Sequence, residues 1–324
     1  MTTVAVLRGG VGDEHDVSLK TGFNVLRRLD ALGKSGKTYR PLDVYIDRTG
    51  VWYVRGLPML PARALQTVDI VFNALHGTYG EDGSVQRELE RLGIPYTGSN
   101  AFASGVAMNK AVTKAMLADQ GIRMPRHVTV MVTPDLDKKL VEIFRTFPMP
   151  SVIKPINSGS SVGVSLARSF TDLTEGVRNA FTHSKEVMIE EYIKGREATV
   201  GVIDGMRGKR QYHLPPVEII VAGNGIFDYA AKYSGDTDER CPGNFSRQES
   251  EELQYMATRV HDTLGLRHYS RSDFIVSPRG VYFLEVNTLP GLTDTSLLPK
   301  SLEAVGISMD EFLDHVLQMA LEKK

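Results

Sequence analysis

The chain has 324 residues, of which 38 are lysine or arginine and 39 are aspartate or glutamate, giving a formal net charge of −1. This balance lacks the basic surplus with which nucleic-acid-binding proteins neutralise phosphates, so no nucleic-acid partner is expected. No apolar stretch is long enough to span a bilayer, so no membrane partner is expected either. Cys241 is the only cysteine, which excludes an internal disulfide and is typical of a cytoplasmic protein.

The first hundred residues alternate apolar strands with helices, an order typical of a parallel α/β sheet. Strands are predicted at 4–7, 41–46, 50–54 and 68–73. The first of them is not interpreted as a signal peptide, because no basic segment precedes its short apolar run. The helix that follows it is predicted to bury one face, formed by Leu19, Phe23, Leu26 and Leu29. A further helix is predicted at 84–92.

The rest of the chain predicts an α+β arrangement. Helices are predicted at 109–120, 171–182, 247–264 and 309–322. Strands are predicted at 127–131, 151–154 and 187–191. The segment 230–246 is polar and has little apolar periodicity, so it is predicted to be irregular. It is either a lid that carries Lys232 and Tyr233 into a site or a flexible surface loop.

Two acidic residues mark a β-hairpin predicted between 271 and 287. Residues 277–280 have turn chemistry, and folding the two strands about this turn brings Asp273 beside Glu285. Asn287 lies two residues after Glu285 and therefore shares its face of the strand. These oxygen ligands suit Mg²⁺, and two acids in an apolar hairpin would repel each other without a cation. The alternative is a pair of solvated edge residues.

Two lysines are candidates for binding phosphate. Lys154 closes an apolar strand and precedes a loop rich in glycine and serine, whose N–H and hydroxyl groups suit a phosphate, although many such loops are only turns. Lys110, near the start of a helix, is either a second positive charge of this site or a solvated helix lysine. The Walker A pattern is absent, so a nucleotide site would be of another type.

Acidic residues interrupt the strand 187–191 and its continuation. Backbone groups of a strand between two domains are suited to meet an adenine edge, and the carboxylate of Glu197 is suited to accept ribose hydroxyls. The alternative is charge on an edge strand.

Polar side chains also follow two strands of the N-terminal sheet. The carboxyl ends of parallel strands meet at one edge, where Glu14 could receive an ammonium group and His76 would point the same way. The alternatives are a solvated loop acid and a structural histidine. Arg271 precedes the hairpin and fits phosphoryl transfer, or an ion pair with the neighbouring acids. The N–H groups that follow residue 290 could hold a carboxylate or an oxyanion.

Taken together and in order, nine segments resemble the D-alanine–D-alanine ligases of the ATP-grasp superfamily. They are GGVGDEHDVS, ALHGTYGEDGSVQ, YTGS, MNK, IKPINSGSSVG, EEYIKGRE, AAKYSGD, RSDF and LEVNTLPGLTDTSL. The resemblance covers nearly the whole chain and implies a three-domain ATP-grasp fold of α/β and α+β type, with an N-terminal parallel α/β domain. The implied domains are 1–100, 101–190 and 191–324.

The resemblance also implies roles for individual residues in binding ATP and metal. The ATP phosphates would be held by Lys110, Lys154 and Lys232. Adenine would be framed by Glu190, Tyr192 and Ile193, and ribose would be bound by Glu197. Two Mg²⁺ ions, for which Mn²⁺ can substitute, would be bound by Asp273, Glu285 and Asn287.

Further roles that the resemblance implies concern the amino-acid substrates. The first D-alanine would be bound through its ammonium group by Glu14, supported by His76. The lid would be connected to Glu14 through Ser160 and Tyr233. The acyl phosphate and the tetrahedral intermediate would be stabilised by Arg271 and the Gly291 N–H. The carboxylate of the second D-alanine would be received by Ser296 and Leu297.

The implied reaction is the ATP-dependent joining of two D-alanines for peptidoglycan precursor synthesis, carried out by a homodimer. The alternatives are a related ligase that uses D-serine or D-lactate as acceptor, and a nucleotide-binding homologue without catalysis. Tyr233 favours D-alanine, because relatives that use D-lactate typically carry histidine in the lid. The family commonly has an aromatic residue or histidine where Thr295 stands, so acceptor choice is expected to be decided there.

Overall fold

The fold is built from sheets that follow one another along the chain. The computed structural model describes residues 1–36, 39–157, 159, 162–221 and 237–322. Within these ranges the strands form three sheets. The predictions for Ser160, Lys232, Tyr233 and residues 230–236 of the segment 230–246 lie outside the described residues.

The N-terminal sheet is parallel at its centre and antiparallel at one edge, in the order β4-β3-β2-β1-β5. Its strands are β1 (Thr2–Gly9), β2 (Tyr39–Ile46), β3 (Trp52–Val54), β4 (Leu57–Met59) and β5 (Ile70–Asn73). β1 pairs in parallel with β2 and β5, whereas β3 and β4 extend the β2 edge in antiparallel fashion. The predicted parallel sheet is confirmed at its centre and wrong at this edge, because the short turn after β2 can only reverse the chain.

Helix α1 (His15–Lys34) packs on this sheet with a different face from the predicted one. Leu29 is buried as predicted, but Phe23 is 65% exposed. A Cβ added to Gly22 would lie 2.5 Å from the Cβ of Arg8 on β1, so the helix approaches the sheet at this glycine. This close approach turns the neighbouring Phe23 toward the surface. The short helix α2 (Pro61–Ala64) and helix α3 (Ser84–Leu92) complete this part, and α3 confirms the prediction.

The central sheet is antiparallel, in the order β6-β9-β7-β8. Its strands are β6 (His127–Met131), β7 (Ser151–Pro155), β8 (Ser165–Ala167) and β9 (Glu186–Glu191). Two helices pack on it, α6 (Leu136–Thr146) and α7 (Phe170–Ala180). The predicted α+β character is confirmed, although α6 and β8 were not predicted.

The C-terminal sheet has the order β13-β12-β10-β14-β15, with β11 beside β10. Its strands are β10 (Arg196–Asp204), β11 (Gln211–His213), β12 (Val217–Val221), β13 (Thr237–Arg240), β14 (Tyr269–Ser277) and β15 (Gly280–Asn287). β13 corrects the prediction that 230–246 is irregular throughout, because these polar residues pair with the apolar strand β12. The helices of this region are α8 (Arg247–Thr263), α9 (Leu297–Glu303) and α10 (Met309–Leu321), of which α9 was not predicted.

The predicted helix at 109–120 is one of two consecutive helices, α4 (Ala101–Met108) and α5 (Lys110–Leu117). Asn109 separates them in an extended conformation, and its side chain accepts from the N–H groups of Ala111 and Val112. This N-cap explains both the break and the position of Lys110 at the start of α5. Both helices pack against the core of the C-terminal sheet.

Packing between distant parts of the chain places the two ends of the molecule side by side. Val4 and Phe72 of the N-terminal sheet share one apolar core with Leu298 of α9 and Phe312 of α10. The loops at the carboxyl ends of β1 and β5 therefore face the segment that follows β15. Among the described residues, no helix combines the length and the apolar character that crossing a membrane requires. The domain boundaries at 100 and 190 stay a prediction.

His268 offers a test of this packing through pH. Its Nδ1 accepts from the Gly98 N–H at 2.9 Å, and burial lowers the pKa of His268 to about 4. Between pH 4 and 6.5 the unfolded chain therefore binds more protons than the folded one, and stability rises with pH. We expect the free energy of unfolding to fall as the pH drops from 6.5 to 4, by about 3 kcal/mol at most from this residue.

The variant His268→Asn tests this expectation, because asparagine tolerates the positive φ of 65° at this position. Urea unfolding between pH 4 and 7 should give a shallower pH slope than the wild type. Asn in place of the exposed His183 is the control and should keep the wild-type slope. An unchanged slope in His268→Asn would contradict the expectation.

Candidate active site

Two adjoining cavities lie where the three sheets meet. One of about 300 Å³ opens between the loops of the N-terminal sheet and the segment after β15. The other, of about 160 Å³, lies between the central and C-terminal sheets. Lys110 and Glu285 line both cavities, so a ligand in one would meet a ligand in the other at these residues.

Every predicted site residue that the structure describes lines one of these cavities. Besides Lys110 and Glu285, the larger cavity is lined by Glu14, His76, Arg271, Asn287, Gly291, Ser296 and Leu297. The smaller cavity is lined by Lys154, Glu190, Tyr192, Ile193, Glu197 and Asp273. Ser160, Lys232 and Tyr233 lie outside the described residues. Residues that are far apart in the sequence are thus brought together, and their individual roles stay predictions.

The acidic hairpin has the predicted register. Asp273 on β14 pairs with Glu285 on β15, and Arg271 pairs with Asn287. Asp273 accepts from Thr199 Oγ1 at 2.6 Å and from Arg271 Nε at 3.2 Å, while Glu285 Oε2 lies 3.2 Å from Lys110 Nζ. The two acids are half-buried and ion-paired, which differs from the alternative of solvated edge residues.

The donor atoms of this hairpin fit Mg²⁺. Asp273, Glu285 and Asn287 offer two carboxylates and an amide oxygen, a set that leaves coordination positions for phosphate oxygens and water. The described part of the chain contains no group of three or more His, Cys, Asp or Glu side chains arranged to hold a metal. Because Mg²⁺ requires octahedral coordination, which these three side chains do not complete, a metal here would bind together with a ligand such as a nucleotide phosphate.

A buried lysine that the sequence did not point to, Lys114, completes a charge cluster with Glu190 and Lys154, two residues that line the smaller cavity. Glu190 is 2% exposed and bridges Lys154 on β7 and Lys114 on α5, with Lys114 Nζ 2.6 Å from Glu190 Oε1. Burial acts to raise the pKa of Glu190, but the two lysines outweigh it and lower that pKa. One carboxylate between two ammonium groups leaves positive charge for an anion. Lys114 lies four residues after Lys110 on one helix, and this spacing was the available signal.

The variant Lys114→Met tests whether this cluster serves a nucleotide. Without Lys114, the negative charge of Glu190 is balanced by Lys154, among the residues that the structure describes. Lys154 then has less positive charge to offer a bound phosphate. We expect the KM for ATP to rise about tenfold, which corresponds to about 1.4 kcal/mol. Glu190 keeps Lys154 as its partner, so no unpaired buried charge is left and the melting temperature should fall only modestly. Lys138→Met on the exposed face of α6 is the control, and equal KM values in both variants would contradict the expectation.

Glu14 is approached closely by two glycines. A Cβ added to Gly77 or Gly159 would lie 2.6 or 2.8 Å from Glu14 Oε2. A side chain at either position would displace the Glu14 carboxylate, and at Gly77 it would also be strained at a φ of 64°. The two glycines therefore allow the loop after β5 and the loop after β7 to approach this carboxylate closely. Glu14 thus stands at the junction of the N-terminal and central sheets.

His76 is a buried, neutral histidine whose two ring nitrogens are both engaged. Nδ1 lies 2.8 Å from the Leu289 carbonyl and Nε2 lies 2.8 Å from Thr21 Oγ1. Because a carbonyl only accepts, Nδ1 carries the proton and Nε2 accepts from the threonine hydroxyl. Burial lowers the pKa of His76 to about 4, so the ring stays uncharged near neutral pH. This arrangement holds the ring in place and does not leave a nitrogen for proton transfer.

Arg271 is a largely buried guanidinium beside the acids of the hairpin. Burial acts to lower its pKa, but Asp273 outweighs this and the pKa lies above its usual value. The predicted ion pair with the neighbouring acid is therefore present, and the side chain still lines the larger cavity. At the far end of this cavity, Ser296 Oγ accepts from the Thr293 N–H at 3.1 Å and lies 2.7 Å from Thr293 Oγ1.

Several residues of the larger cavity were not predicted, and two of them are charged residues beside Glu14 and His76 in the chain or the fold. Lys20 on α1 lines the cavity, as does Glu81 in the loop after β5. Burial and the nearby Glu14 raise the pKa of Glu81 to about 8. The signal for Glu81 was its place five residues after His76 in the same glycine-rich string.

Comparison with known proteins identifies the family of the chain. The family model for the D-ala D-ala ligase C-terminus matches residues 116–318, and the model for the N-terminus matches residues 55–99. The D-alanine–D-alanine ligase of Halalkalibacterium halodurans is 38% identical over 323 residues, covering 99% of this chain and 99% of the relative. The D-alanine–D-alanine ligase of Syntrophotalea carbinolica is 37% identical over 326 residues, covering 99% of this chain and 97% of the relative.

Solved structures agree with this result. The VanG D-Ala:D-Ser ligase from Enterococcus faecalis superposes with a TM-score of 0.86 at 27% identity, covering 98% of this chain and 99% of that one. The D-alanyl-alanine synthetase A from Vibrio cholerae superposes with a TM-score of 0.85 at 27% identity, covering 99% of both chains. The chain therefore belongs to the D-alanine–D-alanine ligase family of the ATP-grasp superfamily.

Proposed function

We propose that the chain joins two D-alanine molecules into D-alanyl-D-alanine, with conversion of ATP to ADP and phosphate, for peptidoglycan precursor synthesis. The observation that carries this proposal is the pair of cavities that adjoin at Lys110 and Glu285. One has the positive charge that a nucleotide phosphate requires, and the other has groups for an amino acid. A carboxylate in the larger cavity can meet the terminal phosphate of ATP in the smaller one.

The reaction needs this arrangement because a carboxylate is a poor electrophile. The first D-alanine attacks the γ-phosphate through its carboxylate, which gives an acyl phosphate and ADP. The amine of the second D-alanine then attacks the acyl carbon, and phosphate leaves with the C–O bonding pair. Water would destroy the acyl phosphate, so closure of the site by the segment with Lys232 and Tyr233 belongs to the proposal.

In the nucleotide cavity, Lys110 and Lys154 would hold the α- and β-phosphates, with Lys232 nearer the γ-phosphate. Adenine would lie against Tyr192 and Ile193, and Glu197 would accept from the ribose hydroxyls. These assignments are supported by the shared lining of the cavity. Because the structure pairs Glu190 with two lysines, its contribution would combine the predicted adenine contact with the placement of Lys154.

Two Mg²⁺ ions, or Mn²⁺ in their place, would be held by Asp273, Glu285 and Asn287. When bound, these ions neutralise phosphate charge and orient the γ-phosphate. The chain itself prepares their ligands: Thr199 donates to Asp273, and Lys110 lies beside Glu285.

In the amino-acid cavity, Glu14 would accept from the ammonium group of the first D-alanine, and Ser160 and Tyr233 would tie Glu14 to the lid. Arg271 would stabilise negative charge on the transferring phosphoryl group, while the Gly291 N–H would donate to the oxyanion of the tetrahedral intermediate. The carboxylate of the second D-alanine would be received by Ser296 and Leu297. His76 would support Glu14 through the fixed loop.

The wider setting proposed for the enzyme is a cytoplasmic homodimer formed through its N-terminal region. The predicted division into domains at 1–100, 101–190 and 191–324 belongs to the same proposal. The supports are the single cysteine and the family resemblance.

A D-serine acceptor is the second candidate. It is favoured by the structural similarity to a D-Ala:D-Ser ligase and by three hydroxyl groups at the far end of the larger cavity. These belong to Thr293, Thr295 and Ser296, where the family commonly has a larger side chain before the serine. Such a polar wall suits a hydroxymethyl side chain as well as a methyl group.

An acceptor competition tests the proposal against this candidate. The enzyme is supplied with ATP, Mg²⁺ and D-alanine, together with equal D-serine or D-lactate, and the products are resolved by mass spectrometry. D-alanyl-D-alanine as the main product supports the proposal, and a dominant D-alanyl-D-serine product supports the second candidate. No ligated product from folded protein would contradict both.

A further inference from the structure

One residue after the metal hairpin, Leu289, is held through both its backbone N–H and its carbonyl by one loop of the N-terminal sheet. The Leu289 N–H donates to Glu81 Oε1 at 2.7 Å, and the Leu289 carbonyl accepts from His76 Nδ1 at 2.8 Å. His76 and Glu81 both lie in the loop after β5, more than 200 residues earlier in the chain. All three residues are buried, so these bonds are sheltered from water.

Leu289 lies midway between two groups on which the proposed function depends. Asn287 precedes it by two residues, and Gly291 follows it by two. The Leu289 N–H also lies 3.0 Å from Asn287 Oδ1, so the last residue of β15 contacts the same N–H group. Pro290 follows with a fixed φ, so ψ of Pro290 is the one variable torsion between the Leu289–Pro290 peptide and the Gly291 N–H.

The carboxyl group of Glu81 is itself held by its own loop. Its Oε2 accepts from the Gly77 N–H at 3.2 Å, and the Glu81 N–H donates to the Gly77 carbonyl at 2.8 Å. A buried carboxyl beside Glu14 is unfavourable unless its hydrogen bonds compensate. Both of the hydrogen bonds that it accepts come from backbone N–H groups, one in its own loop and one at Leu289. The Glu81 carboxyl group therefore connects the loop after β5 to the segment that contains Leu289.

We propose that Glu81 is a positioning residue. Together with His76 it holds the backbone N–H and carbonyl of Leu289, so that the Gly291 N–H points at the oxyanion of the reaction. The inference rests on the proposed function and adds to it a link between the loop that flanks Glu14 and the segment that carries Gly291. Glu81 itself need not touch a substrate. Its effect is on the rate of the chemical steps, because the oxyanion donor is used there and not in binding ATP.

The test compares Glu81→Ala with a matched control in the same loop. Asp82 carries the adjacent carboxylate, which accepts from the Tyr79 and Ser84 N–H groups, so its bonds stay within the loop. Asp82→Ala therefore loosens the loop without releasing Leu289. D-alanine-dependent phosphate release, the KM for ATP and the melting temperature are measured for both variants and for the wild type.

We expect Glu81→Ala to lower kcat by about 100-fold, the size of losing an aligned oxyanion donor, with little change in the KM for ATP. Asp82→Ala should keep a kcat near that of the wild type, even where its melting temperature falls. Glu81→Gln keeps an acceptor oxygen for the Leu289 N–H and should recover activity to within about tenfold of the wild type. If Glu81→Ala does not fold, Glu81→Met keeps the volume, lacks the acceptor and carries the same expectation.

A wild-type kcat in Glu81→Ala or Glu81→Met would overturn the role of Glu81 while leaving the proposed function in place. Equal losses of kcat in the Glu81 and Asp82 variants, in proportion to their losses of melting temperature, would also overturn the role of Glu81. The absence of D-alanine-dependent phosphate release in the wild type would instead remove the proposed function, and this inference with it.

Discussion

Replacing Arg271 by alanine is expected to lower kcat about 1,000-fold, because a guanidinium that neutralises phosphoryl-transfer charge contributes on that scale. The side chain is largely buried, stays charged beside Asp273 and lines the larger cavity near Glu285. Its loss removes positive charge where the proposed reaction develops negative charge on the transferring group. Steady-state phosphate release with saturating ATP and D-alanine gives the measurement.

Two further variants separate this role from a structural one. Arg279→Ala removes an exposed guanidinium from the turn of the same hairpin, where it pairs with Glu191, and should leave kcat near the wild-type value. Arg271→Lys keeps the charge but loses the planar fork, so it should recover only part of the activity. An Arg271→Ala enzyme with wild-type turnover would rule out the proposed role of this residue.

Replacing Glu285 by glutamine is expected to raise the Mg²⁺ concentration required for half-maximal activity by about 100-fold, since a charged oxygen ligand is lost. Glu285 lines both cavities and faces Asp273 across the hairpin, so it stands where nucleotide and amino acid meet. The exchange keeps the size of the side chain while removing its negative charge. Activity is measured against free Mg²⁺ at saturating ATP.

The matched control for this exchange is Glu88→Gln on α3. Glu88 is half-buried, and the exchange breaks its ion pair with the exposed Arg91 on the same helix. This variant should keep the wild-type Mg²⁺ dependence. Binding of Mn²⁺, followed by its electron paramagnetic resonance signal in the presence of ADP, gives a readout independent of turnover. Unchanged metal dependence in Glu285→Gln would contradict the assignment of the hairpin.

The acidic hairpin could be predicted from the sequence because its geometry is local. A turn at 277–280 fixes the register of the adjoining residues, and a β-bulge between Asp273 and Phe274 shifts it by one residue, so that Asp273 lies opposite Glu285. The same holds for helices with a clear cap, such as α8, where Ser246 and Glu249 form a capping box. In both cases the determining residues lie within one element or its immediate flanks.

Features that depend on packing between distant segments could not be predicted in this way. The buried Lys114 on α5 is paired with Glu190 on β9 of the central sheet. The contact of Glu81 with Leu289 joins positions 208 residues apart. The outward position of Phe23 results from the close approach of Gly22 to Arg8. Neither composition nor periodicity carries information about these partners.

Phosphate release from ATP across a panel of D- and L-amino acids tests directly whether the enzyme is a D-alanine–D-alanine ligase. The enzyme is assayed with Mg²⁺, and each amino acid is supplied alone. We expect phosphate release with D-alanine, accompanied by formation of D-alanyl-D-alanine, and little phosphate release with L-alanine. Release that is independent of any amino acid, or an equal response to L-alanine, would contradict this expectation.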